Sequence, residues 1–194
     1  MGNCLSLFHA RERADNAKHK TERSEAGRNK TESSEAGTSS RSQYQVFLNF
    51  KGDTREKFTD HLYYGLQGAG ICVFRDEEGL DVGERINEAL PIAINNSRIY
   101  IPIFSQNYAT SSWCLCELAQ IVENASLSNG HKEILPIFLD VEPDDVKLKN
   151  PLYRDAILNL EREKKLSTEQ VDSWREALKK VDAIKGWEAK KYYG

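Results

Sequence analysis

Four short apolar runs, each followed by a segment of helical pattern, constrain the fold of this 194-residue chain more than any other feature. The runs cover residues 46–50, 71–74, 99–104 and 134–139. The segment after the first run repeats apolar residues every four positions, at Phe58, Leu62 and Leu66. Strands that alternate with helices predict a parallel sheet with helices on both faces.

A flavodoxin-like three-layer sandwich with a parallel sheet of four to five strands is therefore the expected fold. Pro102 and Pro136 lie inside the third and fourth runs, although proline cannot donate to a strand ladder. No fifth apolar run follows residue 141, where the pattern becomes helical. Ser167 and Gln170 form a capping box that predicts the start of a closing helix.

The first eight residues match a lipidation signal. Gly2 with Ser6 fits the N-myristoylation pattern, and Cys4 offers a neighbouring palmitoylation site. Two acyl chains anchor stably where one binds only marginally. We expect an acylated anchor at residues 1–8 and a location on the cytoplasmic face of a membrane, the plasma membrane by preference. The alternative is a terminus that happens to begin with Gly.

Residues 9–43 are rich in charged residues, Ser and Ala and contain almost nothing apolar beyond Ala. Such a stretch cannot offset the entropy lost on ordering, so we expect a disordered charged linker. It holds a ten-residue duplication, in which residues 20–27 are echoed by 30–37.

Composition narrows the function classes. A net charge of −3 gives no electrostatic reason to expect a nucleic-acid partner. Cys114 and Cys116 lie two positions apart and would point about 200° away from each other on a helix. No paired His motif completes a zinc site, so we expect no metal. The cysteine usage fits a reducing, cytosolic compartment.

The order of elements and several local motifs resemble the TIR domain of plant immune receptors over residues 44–187, leaving 188–194 as a C-terminal tail. The motifs are residues 44–55, 74–76, 105–108, 112–118, 135–146 and 185–187. The turn at residues 148–151 departs from the family pattern. No phosphate-binding Gly-x4-Gly-Lys-Ser/Thr motif follows. The resemblance thus implies either a TIR-only protein or a truncated receptor.

The resemblance implies that the chain cleaves NAD⁺, as substrate and without a cofactor, using Glu117 as the catalytic carboxylate. On a helix, Leu115, Leu118 and Val122 lie within about 60° of one another, and Glu117 lies off that stripe. It can therefore face the carboxyl edge of the sheet, where open α/β folds bind ligands. The alternative is an ordinary surface Glu.

Further substrate contacts are implied at three places. They are Phe50, Lys51, Gly52 and Asp53 in the first loop, Arg75 and Asp76 in the second, and Trp113, which core packing would explain equally well.

TIR domains of this family act through self-association, so the resemblance also implies homo-oligomers and contacts with other TIR-containing receptors. His61 falls at the family's Ser-His pair, where Asp60 replaces Ser. Asp60 would bring like charges together across a two-fold contact, or need a basic partner. Lys185, Gly186 and Trp187 would form a second contact, unless Trp187 packs under the final helix.

Two main functions follow. The first is immune signalling through NAD⁺ nucleosidase activity on self-association, which promotes defence and cell death. The second is a non-catalytic TIR adaptor or decoy. A response-regulator-like receiver also suits the fold, but Asp53 with Asp140 is a poor phospho-acceptor cluster.

Overall fold

The computed structural model describes residues 44–75 and 86–191. The predicted anchor with Gly2 and Cys4, the linker at residues 9–43, and Asp76 lie outside the described residues. No helix within the described ranges has the length and apolar composition needed to cross a membrane.

All the strand pairings are parallel. The strands are β1 Val46–Asn49, β2 Val73–Arg75, β3 Ile99–Phe104, β4 Glu133–Ile134, β5 Ile137–Phe138 and β6 Trp187–Glu188. Their order is β2-β1-β3-β5-β6, with β4 also paired to β3. This is the strand order of a flavodoxin-like fold, and it confirms the expected three-layer architecture.

Six helices in the described part of the chain connect and cover the strands. They are α1 Asp60–Gly68, α2 Ile86–Asn96, α3 Ser112–Leu127, α4 Pro143–Val146, α5 Pro151–Lys164 and α6 Thr168–Asp182. A 3-10 turn at Gly52–Thr54 and a π-helical turn at Arg55–Thr59 precede α1. The Thr54 side chain does not cap the π-helical turn that follows it, and its hydroxyl donates to the Lys51 carbonyl at 3.0 Å.

The predicted fourth strand is divided into β4 and β5. Both pair with β3 in one register, since Ile99 lies opposite Glu133 and Ile103 lies opposite Ile137. In that register Pro136 falls opposite Pro102. Tyr100 faces the fourth strand, where its carbonyl accepts from the Leu135 amide, and Pro102, two positions on, faces the same side but has no N–H to donate. The ladder is therefore interrupted between β4 and β5, whereas Pro136 faces the opposite side, where its carbonyl accepts from the Trp187 amide.

A fifth position in the sheet, which the sequence did not reveal, is filled by β6. Ile137 lies opposite Trp187 and Phe138 lies opposite Glu188. Two residues are too few to show an alternating pattern. The strand crosses the boundary expected at residue 187, and Ala189 beyond it is buried.

The core lies on both faces of the sheet. Phe47 faces a larger cluster formed with α2, α3, α5 and α6, while Val46 and Leu48 face a smaller cluster that includes α1. The face of α6 that packs on the larger cluster is fully buried and consists of Val171, Trp174, Leu178 and Val181. Helices therefore cover both faces of the sheet, and loops surround its carboxyl edge.

Candidate functional site

Glu117 lies beside the carboxyl end of β1. It is in the second turn of α3, whose first turn is capped by Ser111, which accepts from the Cys114 amide at 3.3 Å. The carboxylate is 3% exposed, and its Oε2 accepts from Asn49 Nδ2 at 2.7 Å. Asn49 is the last residue of β1. The side chain therefore faces the sheet edge, and the alternative of a surface glutamate is wrong.

Tyr108 extends this contact. Its hydroxyl donates to Asn49 Oδ1 and lies 3.2 Å from the Cys114 carbonyl oxygen. The Asn49 amide nitrogen lies 3.4 Å from the same carbonyl. Burial, followed by the nearby Cys114, Glu117 and Tyr153, raises the pKa of the Tyr108 phenol well above its usual value. The phenol is therefore a donor throughout the physiological range.

The predicted first-loop residues lie next to this network. The Cys114 thiol donates to the Phe50 carbonyl at 3.3 Å, and Phe50 itself is buried. Lys51 Nζ donates to Thr110 Oγ1. Asp53 Oδ2 accepts from Asn107 Nδ2 at 2.8 Å. The loops after β1 and β3 are thus tied together over the end of the sheet.

The remaining first-loop residue, Gly52, is exposed at the start of the 3-10 turn. Arg55, two positions beyond Asp53, stacks its guanidinium 5.1 Å from the centre of the Phe50 ring. The first loop and the turn after it therefore carry an apolar ring and two cations just beyond the carboxyl end of β1.

Arg75 is buried at the end of β2. Its side chain is 1% exposed and forms an ion pair with Asp60 of α1. Its guanidinium lies 4.3 Å from the centre of the Tyr63 ring. In this structure Arg75 thus has a buried structural role, and its expected contact with substrate stays a prediction. Asp60 thus has a basic partner within the same chain.

Trp113 is partly buried and packs against the larger core cluster. This placement agrees with the alternative that the side chain serves core packing. The other predicted site residue of the second loop, Asp76, belongs to the part of the chain that the structure does not describe.

The residues predicted for self-association lie at the surface. His61 and Lys185 are exposed, and Trp187 is 47% exposed. Trp187 does not pack under α6 but lies in β6 at the edge of the sheet. Gly186 is half-buried where it meets β5.

Asn49 and Tyr108 were not predicted as site residues. A signal for Asn49 exists in the sequence, since it is a polar residue at the end of an otherwise apolar strand. Tyr108 carries no comparable signal. Within the described ranges, no three His, Cys, Asp or Glu side chains come together as a metal site.

The fold and the site together define a flavodoxin-like α/β domain with a buried carboxylate at the carboxyl edge of its sheet. The chain belongs to the TIR domain family, whose profile matches residues 43–194. It is a TIR domain like those of plant disease-resistance proteins, as the following likenesses show.

Two curated relatives illustrate the relationship. Over 150 residues the chain is 41% identical to the TMV resistance protein N of Nicotiana glutinosa. The aligned region covers 77% of this chain and 13% of that protein. Over 145 residues it is 41% identical to the disease resistance protein RPV1 of Vitis rotundifolia. That aligned region covers 74% of this chain and 10% of RPV1. The chain thus spans only a small part of these relatives.

A solved structure agrees in fold and sequence. It shows the TIR domains of the activated Roq1 resistosome directly recognizing the pathogen effector XopQ. The TM-score is 0.70 at 38% identity, over 77% of this chain and 90% of that one. The family resemblance seen in the sequence is thereby confirmed.

Proposed function

We propose that this chain signals in plant defence by cleaving the nicotinamide–ribose bond of NAD⁺ when its copies self-associate, with cell death as the outcome. Membership of the TIR family and the likeness to disease-resistance proteins support the signalling role. The observation that carries the chemistry is the placement of Glu117, 2.7 Å from Asn49 at the carboxyl end of β1.

A single carboxylate suffices for this reaction. The bond between ribose C1′ and the pyridinium nitrogen breaks with both electrons going to nitrogen, so nicotinamide leaves neutral and needs no general acid. The positive charge that develops on the ribose resembles that in glycoside hydrolysis. A fixed negative charge stabilises it. Water then adds to C1′ and releases a proton to solvent.

The first loop is the proposed substrate contact. Phe50, Lys51, Gly52 and Asp53 lie over the same end of the sheet as Glu117, and the Lys51 ammonium suits the anionic pyrophosphate. Because Glu117 is 3% exposed, ribose reaches it only after neighbouring side chains move. We propose that contact between copies, through the surfaces at His61 and at Lys185 to Trp187, drives this opening.

Membrane anchoring would favour that contact. We propose that myristoylation of Gly2 and palmitoylation of Cys4 hold the chain at the cytoplasmic face of a membrane, where confinement raises the local concentration of copies. A Gly2→Ala variant is then expected to be diffuse and to signal weakly in plant cells. A diffuse variant that signals as strongly as the parent would contradict this proposal.

The test of the activity is nicotinamide release from NAD⁺ by the purified full chain at high concentration with a crowding agent. Glu117→Gln is the matched variant, because it keeps the size and removes the charge. We expect its rate to fall at least about 100-fold, the range typical for loss of an electrostatic stabiliser. Circular dichroism and light scattering would establish that both proteins are folded and equally associated.

The adaptor function remains the second candidate, and one observation favours it. Glu117 is almost fully buried, so substrate does not reach its carboxylate in this conformation. Absence of release from folded, self-associated parent protein would favour an adaptor that acts through TIR–TIR contacts alone.

A further inference from the structure

The buried hydrogen bonds around Glu117 form one connected chain across three elements. The Tyr108 hydroxyl, in the 3-10 turn before α3, donates to Asn49 Oδ1 at the end of β1. The Asn49 amide nitrogen donates to Glu117 Oε2 at 2.7 Å. Both Asn49 and Tyr108 are 0% exposed. Water therefore does not replace any of these donors and acceptors while the domain is folded.

The direction of the bonds matters because the two ends of an amide have the same shape and opposite hydrogen-bonding character. If the Asn49 amide were rotated by half a turn, its oxygen would lie where the nitrogen now donates to Glu117. Two oxygens at that distance repel when the carboxylate is ionised. Tyr108 favours the observed orientation because its hydroxyl proton is directed at Oδ1, the nearer of its two acceptors.

We infer that Asn49 and Tyr108 are positioning residues that hold Glu117 in its ionised form and aim its carboxylate, an inference that rests on the proposed function. Asn49 supplies the donor, and Tyr108 orients and polarises the amide that carries it. Bonds in such a chain strengthen one another in a buried environment. Neither side chain needs to touch the substrate.

Several other ionisable groups lie near the chain of bonds. Cys114 of α3 and Tyr153 of α5 act on Tyr108, and both raise the pKa of its phenol. In the loops above, Lys51 is bonded to Thr110 and Asp53 to Asn107. From α6, the neutral Gln170 reaches the Cys116 sulfur at 4.0 Å. Asn49, which is itself uncharged, thus donates to Glu117 from another element.

A graded series of variants of the full chain tests the inference. Asn49→Leu removes the donor at similar size, and Tyr108→Phe removes only the hydroxyl that orients it. We expect the acid limb of the pH profile for nicotinamide release to move up by about one unit in Asn49→Leu, and by less in Tyr108→Phe. At the optimum, kcat is expected to fall about tenfold while KM stays within about twofold.

Tyr153→Phe is the matched control. Tyr153 stacks on Tyr108 with ring centres 6.2 Å apart, but its hydroxyl donates to the Ser105 carbonyl instead. This variant also loses one buried phenol hydrogen bond, so it reports any general loosening of the core. Its pH profile is expected to match the parent's. A shift as large as that of Tyr108→Phe, or no shift in any variant, would overturn the inference.

Carboxyl-carbon NMR separates this inference from the proposed activity. In protein carrying ¹³C-labelled glutamate, the signal absent from Glu117→Gln identifies Glu117 and allows its titration without turnover. The pKa of Glu117 should rise in Asn49→Leu and Tyr108→Phe relative to the parent, and not in Tyr153→Phe. An inactive parent with these shifts would refute the NAD⁺ cleavage alone, whereas unchanged titration in an active parent would refute the positioning role alone.

Discussion

At the scale of single residues, Arg75 places a full charge in the interior at the end of β2. Asp60 from α1 compensates for that charge, and the Tyr63 ring packs against the guanidinium. A buried cation that loses its acidic partner is strongly destabilising, since the remaining charge has no water around it. Asp60 is therefore a structural residue of the monomer, even though it sits beside the exposed His61.

Replacing Asp60 by Asn should lower the free energy of unfolding by about 1–3 kcal/mol, less than for a fully buried pair because the Asp60 side chain is 28% exposed. Urea unfolding measures this change. Glu56→Gln, at an exposed acid on the preceding turn, is the control and should stay within about 0.5 kcal/mol of the parent. If Asp60→Asn kept full stability and associated more strongly, Asp60 would instead act by repulsion between copies.

The site shows how far residue-level reasoning reaches. The family resemblance singled out Glu117, and the helical angle predicted that its side chain lies off the core stripe, where the structure shows it bonded to Asn49. Its burial and its partner were not predictable, because Asn49 lies 68 positions earlier in the chain. Their contact depends on the packing of α3 against the end of β1, and no local pattern encodes that distance.

At the scale of elements, the joint between β5 and β6 leaves no room for a side chain at Gly186. A Cβ there would lie 2.6 Å from both the Pro136 carbonyl oxygen and the Phe138 ring. The next residue, Trp187, donates its amide to that same carbonyl at 2.9 Å. The backbone of β6 must therefore approach β5 closely in order to pair with it.

Gly186→Ala should lower the free energy of unfolding by about 1–3 kcal/mol, as expected for overpacking against backbone. Gly65→Ala is a suitable counterpart, because Gly65 lies within α1 with nothing near its missing Cβ. That change should stabilise the protein by about 0.5–1 kcal/mol. Thermal and urea unfolding of both variants would give the comparison. Equal effects at the two glycines would contradict the close approach at β6.

Element starts and ends were only partly predictable. Ser167 caps α6 as expected, accepting from the Gln170 amide at 3.3 Å. The Gln170 side chain does not complete the capping box, since it is buried against Cys116 instead. The prolines in the third and fourth apolar runs indicated a disturbed strand pairing, which the structure shows as the division into β4 and β5. The strand β6, in contrast, was too short to predict from the sequence. Tertiary contacts decide both the orientation of the Gln170 side chain and the pairing of β6.

At the scale of the whole molecule, burial of phenols links folding to alkaline pH. Burial is the main cause that raises the pKa of Tyr108 and Tyr153 well above the usual value, and it raises that of Tyr100 to about 12. The folded chain thus keeps protons that the unfolded chain releases above about pH 10. The stability from these groups is present below that pH and is lost as the pH rises.

The free energy of unfolding should therefore fall as the pH rises above about 10. Tyr153→Phe should flatten that fall by up to about 1.4 kcal/mol per pH unit, the effect of one linked proton. Urea titrations of parent and variant between about pH 8 and pH 11 would measure both slopes. Identical slopes would mean that Tyr153 ionises as readily in the folded state as in the unfolded state.

The whole architecture was the most predictable level. Alternating strands and helices are a property of long stretches of sequence, so errors at individual boundaries did not alter the layers or the strand order. The two-sided core follows from the same pattern, since Val46 and Leu48 face one cluster and Phe47 the other.

The position of β6 at the far end of the sheet has a consequence for biosynthesis. Roughly fifty residues separate Phe138 from its neighbour Glu188, so β5 is made well before the strand that covers it. At the usual speed of about 5–20 residues per second, a ribosome takes several seconds to supply that strand. During that interval the nascent chain carries an open strand edge at β5. The adjacent Pro136, which has no amide proton to offer, makes that edge a poor template for pairing with a neighbouring nascent chain.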